Sequence, residues 1–163
     1  MSMKQIFCDI EKCLGCKSCE LACAVEHSLS KKLVAAMREP VVPKQRIRVE
    51  LIDEHGTLSR YRTLALQCRH CGNALCVQAC ISGGMRKDEK TGDVRINPEK
   101  CVACWSCVMV CPFGALVRHE GIHRAMKCDH CPDRETPACV DACPTKALVY
   151  LVKDGVRTRD VVL

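Results

Sequence analysis

Alternation of apolar and polar residues is confined to short stretches of this chain. From Arg46 to Asp53, Ile47, Val49 and Leu51 alternate with Arg48 and Glu50, the two-residue period of a half-buried strand. His55-Gly56 marks a turn after it, and a second strand is expected to run to about Leu66. Lys87 to Asn97, with Thr91-Gly-Asp93 at its middle, reads as another hairpin. Pro112-Phe-Gly-Ala-Leu and Pro144-Thr-Lys-Ala-Leu each read as a turn entering a strand. The helical signal is weaker: Ser30 is placed to cap a short helix with Leu33, Val34 and Met37 on one side, ended before Pro40. The tail alternates less cleanly and ends Val161-Val-Leu163, residues that tuck in, fray, or add a strand to a neighbouring subunit. No run approaches the roughly 18 continuous apolar residues of a membrane span.

Composition changes this picture. A chain of 163 residues is long enough for one domain or two very small ones. Its hydrophobic fraction is 48%, but 17 of the contributing residues are cysteine, and the aromatics amount to one Trp, two Tyr and two Phe. A core so thin calls for cross-links or metal ligands. The N-terminus, Met1-Ser-Met-Lys-Gln-Ile-Phe-Cys-Asp, has no apolar signal core and no twin arginine, which argues for the reducing cytoplasm, where cysteines bind metal more often than each other. An odd cysteine count also argues against full disulfide pairing.

Setting Cys8 aside, the cysteines fall into four quartets: Cys13, Cys16, Cys19 and Cys23; Cys68, Cys71, Cys76 and Cys80; Cys101, Cys104, Cys107 and Cys111, followed by Pro112; and Cys128, Cys131, Cys139 and Cys143, followed by Pro144. Each begins C-x-x-C and ends C-x-x-x-C. Only the middle gap varies: two residues in quartets one and three, four in quartet two and seven in quartet four. The steps before the last cysteine, Glu-Leu-Ala, Val-Gln-Ala, Val-Met-Val and Val-Asp-Ala, also resemble one another, so the unit is an internal repeat.

Cysteines two residues apart let a tight loop wrap one cubane with three thiolates while a fourth, just beyond, points to a neighbouring cluster; C-x₂-C-x₂-C-x₃-C-P is the bacterial ferredoxin run that does this. Quartet three matches it fully, quartet one lacks only the proline, and quartets two and four lengthen the middle loop. Gly15 and Ala103 leave room for close backbone approach. Sixteen thiolates at four per cluster account for four [4Fe–4S] clusters. The competing chemistry is a Cys₄ zinc site, but that uses two separated C-x-x-C pairs and leaves the third cysteine of each quartet without a task. A thioredoxin-like motif occurs singly near a βαβ pattern, not four times.

With these motifs the chain resembles the four-cluster ferredoxin-like electron-transfer subunits related to the dimethyl sulfoxide reductase iron–sulfur subunit, over roughly residues 4–150. The residues that carry the likeness are the quartets themselves, Gln67-Cys-Arg-His-Cys, and Lys127-Cys-Asp-His-Cys-Pro. Glu20-Leu-Ala-Cys-Ala-Val-Glu-His27 is most similar to small members serving carbon monoxide dehydrogenase, tungsten aldehyde oxidoreductase, formate dehydrogenase or hydrogenase. The resemblance implies an α+β fold of two pseudo-symmetric bacterial-ferredoxin-like units, each with two clusters, one nested within the other, with a β-hairpin insertion. Residues 1–29 and 119–163 would form the outer unit, 30–66 the insertion and 67–118 the inner unit. It also implies how ligands are shared: Cys13, Cys16 and Cys19 with Cys143; Cys128, Cys131 and Cys139 with Cys23; Cys68, Cys71 and Cys76 with Cys111; and Cys101, Cys104 and Cys107 with Cys80. Spacing alone leaves open the sequential pairing of quartet one with two and three with four.

The remaining residues carry less. The 44 residues between quartets one and two are required by no ligand, and their hairpin reads equally as a cover for clusters or as a docking surface. His70 and His130 occupy equivalent places and are superfluous as ligands; a packed or surface imidazole is the simpler role, a hydrogen bond tuning a cluster the alternative. Trp105 is expected to shield the cluster of quartet three, and Cys8 to be a buried spare thiol. With all iron positions filled by protein there is no open site for metal catalysis, and no P-loop, dinucleotide fingerprint or nucleophile motif is present. The expected function is single-electron relay between the catalytic subunit of a cytoplasmic oxidoreductase and a second redox partner such as a flavin or NAD subunit, with self-association into a longer wire also open. A free diffusible polyferredoxin and a zinc-binding interaction module are the alternatives. The formal charge of +6 is no argument for nucleic acid: four clusters with their thiolates contribute about −8 when oxidised, which brings the holoprotein to about −2.

Overall fold

Every cysteine quartet lies between two strands. The computed structural model describes residues 2–53 and 61–154. Strand β1 (Ser2–Cys8) leads into the first quartet and β2 (Ile47–Asp53) follows it; β3 (Tyr61–Gln67) and β4 (Met85–Lys87) bracket the second. β5 (Val94–Ile96) and β6 (Val117–His119) bracket the third, and β7 (Arg124–Met126) and β8 (Leu148–Asp154) the fourth. The strands pair as four antiparallel two-stranded sheets. β2–β3, β4–β5 and β6–β7 are hairpins between successive quartets, and β1 pairs with β8 in the register Cys8↔Leu148 to Ser2↔Asp154.

Two-residue periodicity sets the inward faces. In β4 and β5 Met85 and Val94 are buried while Arg86 and Arg95 are exposed. In β2 Ile47 is buried and Val49 half-buried, but Leu51 is 59% exposed, so the expected alternation is correct in phase and faces the core only at its start. The His55-Gly56 turn and the Val161–Leu163 tail lie outside the described residues.

Each quartet also carries a short helix. α1 (Ser18–Glu26) holds Cys19 and Cys23, and three four-residue helices hold the third cysteine of the other quartets: Cys76 in α3 (Leu75–Gln78), Cys107 in α4 (Ser106–Met109) and Cys139 in α5 (Ala138–Asp141). Single turns of this kind are not stable alone and persist through tertiary contacts. α1 packs on α5 and α3 on α4, so the first and last quartets are joined by helix and strand contacts, as are the second and third. The buried core reflects the composition: cysteine and alanine dominate one cluster of buried residues and make up half of the other, with Ile6, Ile47, Leu148, Met85, Val94 and Leu116 as the larger members.

One element departs from the sequence reading. α2 (Leu33–Ala36) forms, but Lys32 occupies its N-cap and no side chain caps it. Ser30 is engaged elsewhere, by the Glu39 carboxylate at 2.7 Å. Leu33, Val34 and Met37 are 45, 62 and 69% exposed and only Ala36 is buried, because the helix is too short to turn a three-residue apolar face onto the core.

Candidate metal centres

The loops that open the quartets rely on left-handed backbone. In quartets one and three the residues on both sides of the second cysteine have positive φ: Gly15 (66°) and Lys17 (60°) around Cys16, Ala103 (52°) and Trp105 (63°) around Cys104. In the other two, His70 (46°), His130 (62°) and Cys131 (48°) take that role. Such conformations are costly for non-glycine residues and repeat here because successive sulfurs must converge on one point. A second recurrent turn follows the fourth cysteine, with positive φ three residues on at Gly83, Gly114 and Lys146. Their N–H groups donate to the carbonyls of Cys80, Cys111 and Cys143 at 3.1, 3.2 and 3.3 Å. Quartet one has no equivalent turn, since α1 continues through Cys23.

All 17 cysteines are free thiols. Three hollows each present four of them. One is lined by Cys13, Cys16, Cys19 and Cys143, a second by Cys68, Cys71, Cys76 and Cys111, and a third by Cys80, Cys101, Cys104 and Cys107. The remaining four, Cys23, Cys128, Cys131 and Cys139, are all buried, and the first three act electrostatically on Cys139. Interactions between these groups run in a row: Cys19 acts on Cys139, Cys68 on Cys128, and Cys76 on Cys107. The exposed cysteines are Cys16 and Cys104, one in each end group.

Burial and mutual repulsion make several of these thiols reluctant to ionise. Burial pushes Cys19 and Cys128 up to about 12 and Cys107 and Cys131 up to about 11, and raises Cys139 as well. Four sulfurs shift the other way. Hydroxyls of Ser18 and Ser106 lower Cys16 and Cys104; at Cys80 and Cys143 burial is outweighed by backbone N–H groups together with Ser82 and Thr145. Backbone N–H groups donate to Cys23 Sγ from Arg46 (3.3 Å), to Cys68 Sγ from His70 (3.4 Å), to Cys80 Sγ from Met85 (3.2 Å) and to Cys111 Sγ from Ala115 (3.4 Å). Converging thiols that are costly as isolated thiolates, with N–H groups turned to sulfur, are the donor set that a positively charged iron–sulfide core fits.

Other side chains surround the groups, and the sequence reading gave no role to the first three, His27, Asp129 and Arg46. His27 Nε2 lies 3.1 Å from Asp129 Oδ1 and its Nδ1 2.7 Å from the Cys23 carbonyl, while Arg46 bonds the other Asp129 oxygen. Burial opposes protonation of His27, but Asp129 and Cys23 outweigh it and hold the imidazole up at about 9. Asp129 sits well below the usual carboxylate range: burial is overcome by His27 and Arg46. His70 and His130 are both 5% exposed and stack at 3.9 Å, so they are packed imidazoles. His130 Nδ1 lies 3.0 Å from Asp93 Oδ1, and His70 Nδ1 accepts from the Val94 N–H at 3.0 Å. Burial, then Lys127 and His130, push His70 down to about 2. Trp105 lines the hollow of Cys104 and lies under the Arg118 guanidinium, 5.6 Å from its ring centre. Cys8 is only half-buried and accepts the Ala65 N–H at 3.4 Å, close to Cys13.

This is the site of a cysteine-ligated iron–sulfur protein, and the comparisons agree. The chain matches the 4Fe-4S dicluster domain over residues 59–153 and a 4Fe-4S binding domain over residues 10–26. It is 39% identical to an iron–sulfur protein of Rhodospirillum rubrum, covering 93% of this chain and 84% of that one. It is 34% identical to the electron transport protein HydN of Escherichia coli (88 and 85% covered), and 31% identical to the thiosulfate reductase electron transfer subunit PhsB of Salmonella typhi (87 and 72%). The chain belongs to the 4Fe–4S dicluster family of iron–sulfur electron-transport proteins. Among the described residues no helix is long and apolar enough to cross a membrane.

Proposed function

We propose that this chain is a four-cluster electron relay, a non-catalytic subunit of an oxidoreductase. Each [4Fe–4S] group supplies a one-electron couple when bound; the chain's own residues hold the groups in sequence and set their surroundings. The ligand sets are Cys13, Cys16, Cys19 and Cys143; Cys23, Cys128, Cys131 and Cys139; Cys68, Cys71, Cys76 and Cys111; and Cys80, Cys101, Cys104 and Cys107. One observation carries this reading: three hollows and one buried group divide the sixteen quartet cysteines four by four, mixing quartet one with four and two with three. That division favours nested over sequential pairing. The β1–β8 pairing and α1–α5 packing support an outer unit of residues 1–29 and 119–163, and the β4–β5 hairpin and α3–α4 packing an inner unit of 67–118, with 30–66 inserted.

The row has an exposed cysteine at either end, with Leu14 (72% exposed) lining the hollow of Cys16 and Val102 (62%) that of Cys104. Such a relay fits between two partners, one the catalytic subunit of an oxidoreductase and the other a flavin or NAD subunit. The naming of PhsB as an electron transfer subunit supports a subunit role. Tungsten aldehyde oxidoreductase and carbon monoxide dehydrogenase are the partners put forward, on the Glu20–His27 segment alone, and with them a place near the dimethyl sulfoxide reductase iron–sulfur subunits and in the cytoplasm. Anaerobically purified protein is expected to be brown and to contain about sixteen irons and as many sulfides. Cys143→Ser is expected to perturb the same electron paramagnetic resonance (EPR) signal as Cys16→Ser. A colourless preparation with four zincs, or a Cys143→Ser effect shared with Cys104→Ser instead, would overturn the reading.

A further inference from the structure

Lys127 is the most deeply buried cation among the described residues, at 3% exposure. Its ammonium donates to the Val94 carbonyl and, at 2.6 Å, to the Cys128 carbonyl. An ammonium in such a place requires a negative partner, because hydrogen bonds to neutral carbonyls do not balance its charge. Among the described residues it forms no ion pair with a carboxylate. The carboxylates nearby have other partners: buried Asp93 faces His130 at 3.0 Å, His70 at 3.5 Å and Arg95 at 3.7 Å, and half-buried Asp129 bonds His27 and Arg46. The neighbouring imidazoles supply no negative charge.

Lys127 lies between two cysteine sets: Val94, whose carbonyl it bonds, lines the hollow of Cys68, Cys71, Cys76 and Cys111, and Cys128, whose carbonyl it also bonds, belongs to the buried set. From there its charge favours the thiolate at Cys68, Cys76 and Cys128. Those three belong to two different groups, the two in the middle of the row. The His70–His130 stack lies at the same place, with ligand atoms of His70, His130 and Cys128 all within 4.8 Å of one another. We propose that Lys127 is the counter-charge shared by the two central cysteine sets and that it raises their reduction potentials above what the same ligands would give without it. A fixed positive charge stabilises the more negative, reduced form of a cluster, and low polarity around it strengthens the effect. The end sets, which Lys127 does not touch, are expected to be indifferent to it. This rests on the four-cluster reading.

The test is a potentiometric titration followed by EPR on the holoprotein and on Lys127→Gln, Lys127→Met and Lys127→Arg, with iron counted in each. Gln retains a hydrogen-bond donor without the charge, Met retains neither, and Arg retains the charge. Two of four midpoint potentials are expected to move negative in both Gln and Met and to stay near the wild-type values in Arg. If the neutral variants lose iron, Arg is expected to keep the full complement. Gln behaving as wild type would assign Lys127 a hydrogen-bonding role and overturn the proposal, as would Arg failing alongside Gln and Met, or a uniform shift of all four potentials. A wild-type protein without about sixteen irons would instead overturn the four-cluster reading itself.

Discussion

Hydroxyls two residues beyond a cysteine recur in the two end groups and nowhere in the central ones. Cys16 Sγ and Ser18 Oγ are 3.4 Å apart, Cys80 and Ser82 3.7 Å, Cys143 and Thr145 3.8 Å, and Ser106 lowers Cys104 in the same way. Toward a thiolate each hydroxyl donates. A donated hydrogen bond removes charge from sulfur and favours the reduced state, so the end sets are poised by dipoles where the central pair has Lys127. Ser106→Ala together with Ser82→Ala is expected to lower one midpoint potential by on the order of 60 mV or less, the one-electron equivalent of about 1.4 kcal/mol. EPR-monitored titration would show it, and the other potentials should stay put. The sequence carries this pattern as Cys-x-Ser or Cys-x-Thr, at Cys16, Cys80, Cys104 and Cys143, a signal that the ligand spacing alone passes over. It carries no such signal for Lys127, because only the fold brings the Val94 carbonyl to its ammonium.

Of the two roles that the sequence left even for the β2–β3 hairpin, the structure shows the first. It covers the first quartet: the Val49 N–H donates to the Glu20 carboxylate at 2.6 Å, Thr63 Oγ1 to the Cys13 carbonyl at 2.7 Å, and the Arg46 N–H to Cys23 Sγ. Gly15 makes this approach feasible. Its φ is +66°, and a Cβ there would meet Thr63 Cγ2 at 2.8 Å. Gly15→Ala is expected to cost roughly 1–3 kcal/mol, from left-handed strain and the displaced hairpin. Thermal unfolding of the holoprotein would measure the cost, and iron loss should be confined to the Cys13 group. The hairpin's strands were legible because alternation over Arg46–Asp53 is a local signal. The exposure of Leu33, Val34 and Met37 was not, since a four-residue helix gives periodicity too little length to register.

At the scale of the whole molecule, cysteine and alanine make up most of the buried interior, with only a few larger aliphatic side chains among them. Removing iron is therefore expected to abolish the cooperative fold rather than leave an empty scaffold, as in small metal-dependent domains. Anaerobic chelation followed by circular dichroism and proteolysis would test this, and a protease-resistant apoprotein with native strand content would contradict it. The four quartets were legible because the ligand spacing is local. The partnership proposed for them across the chain was not contained in the spacing, since it rests on the packing of α1 on α5 and α3 on α4.

The pairing of β1 with β8 has a consequence for how the chain order should be regarded. Antiparallel hairpins link quartet one to two, two to three and three to four, and the Ser2↔Asp154 register supplies the fourth link, from the last quartet back to the first. In terms of connectivity the described molecule is a closed ring of four strand–loop–helix–strand units. Among the described residues the ring opens beside the β1–β8 sheet, and any of the three hairpins would serve the same ring as an opening. Which cysteine quartet is translated first is thus a property of the message, not of the architecture.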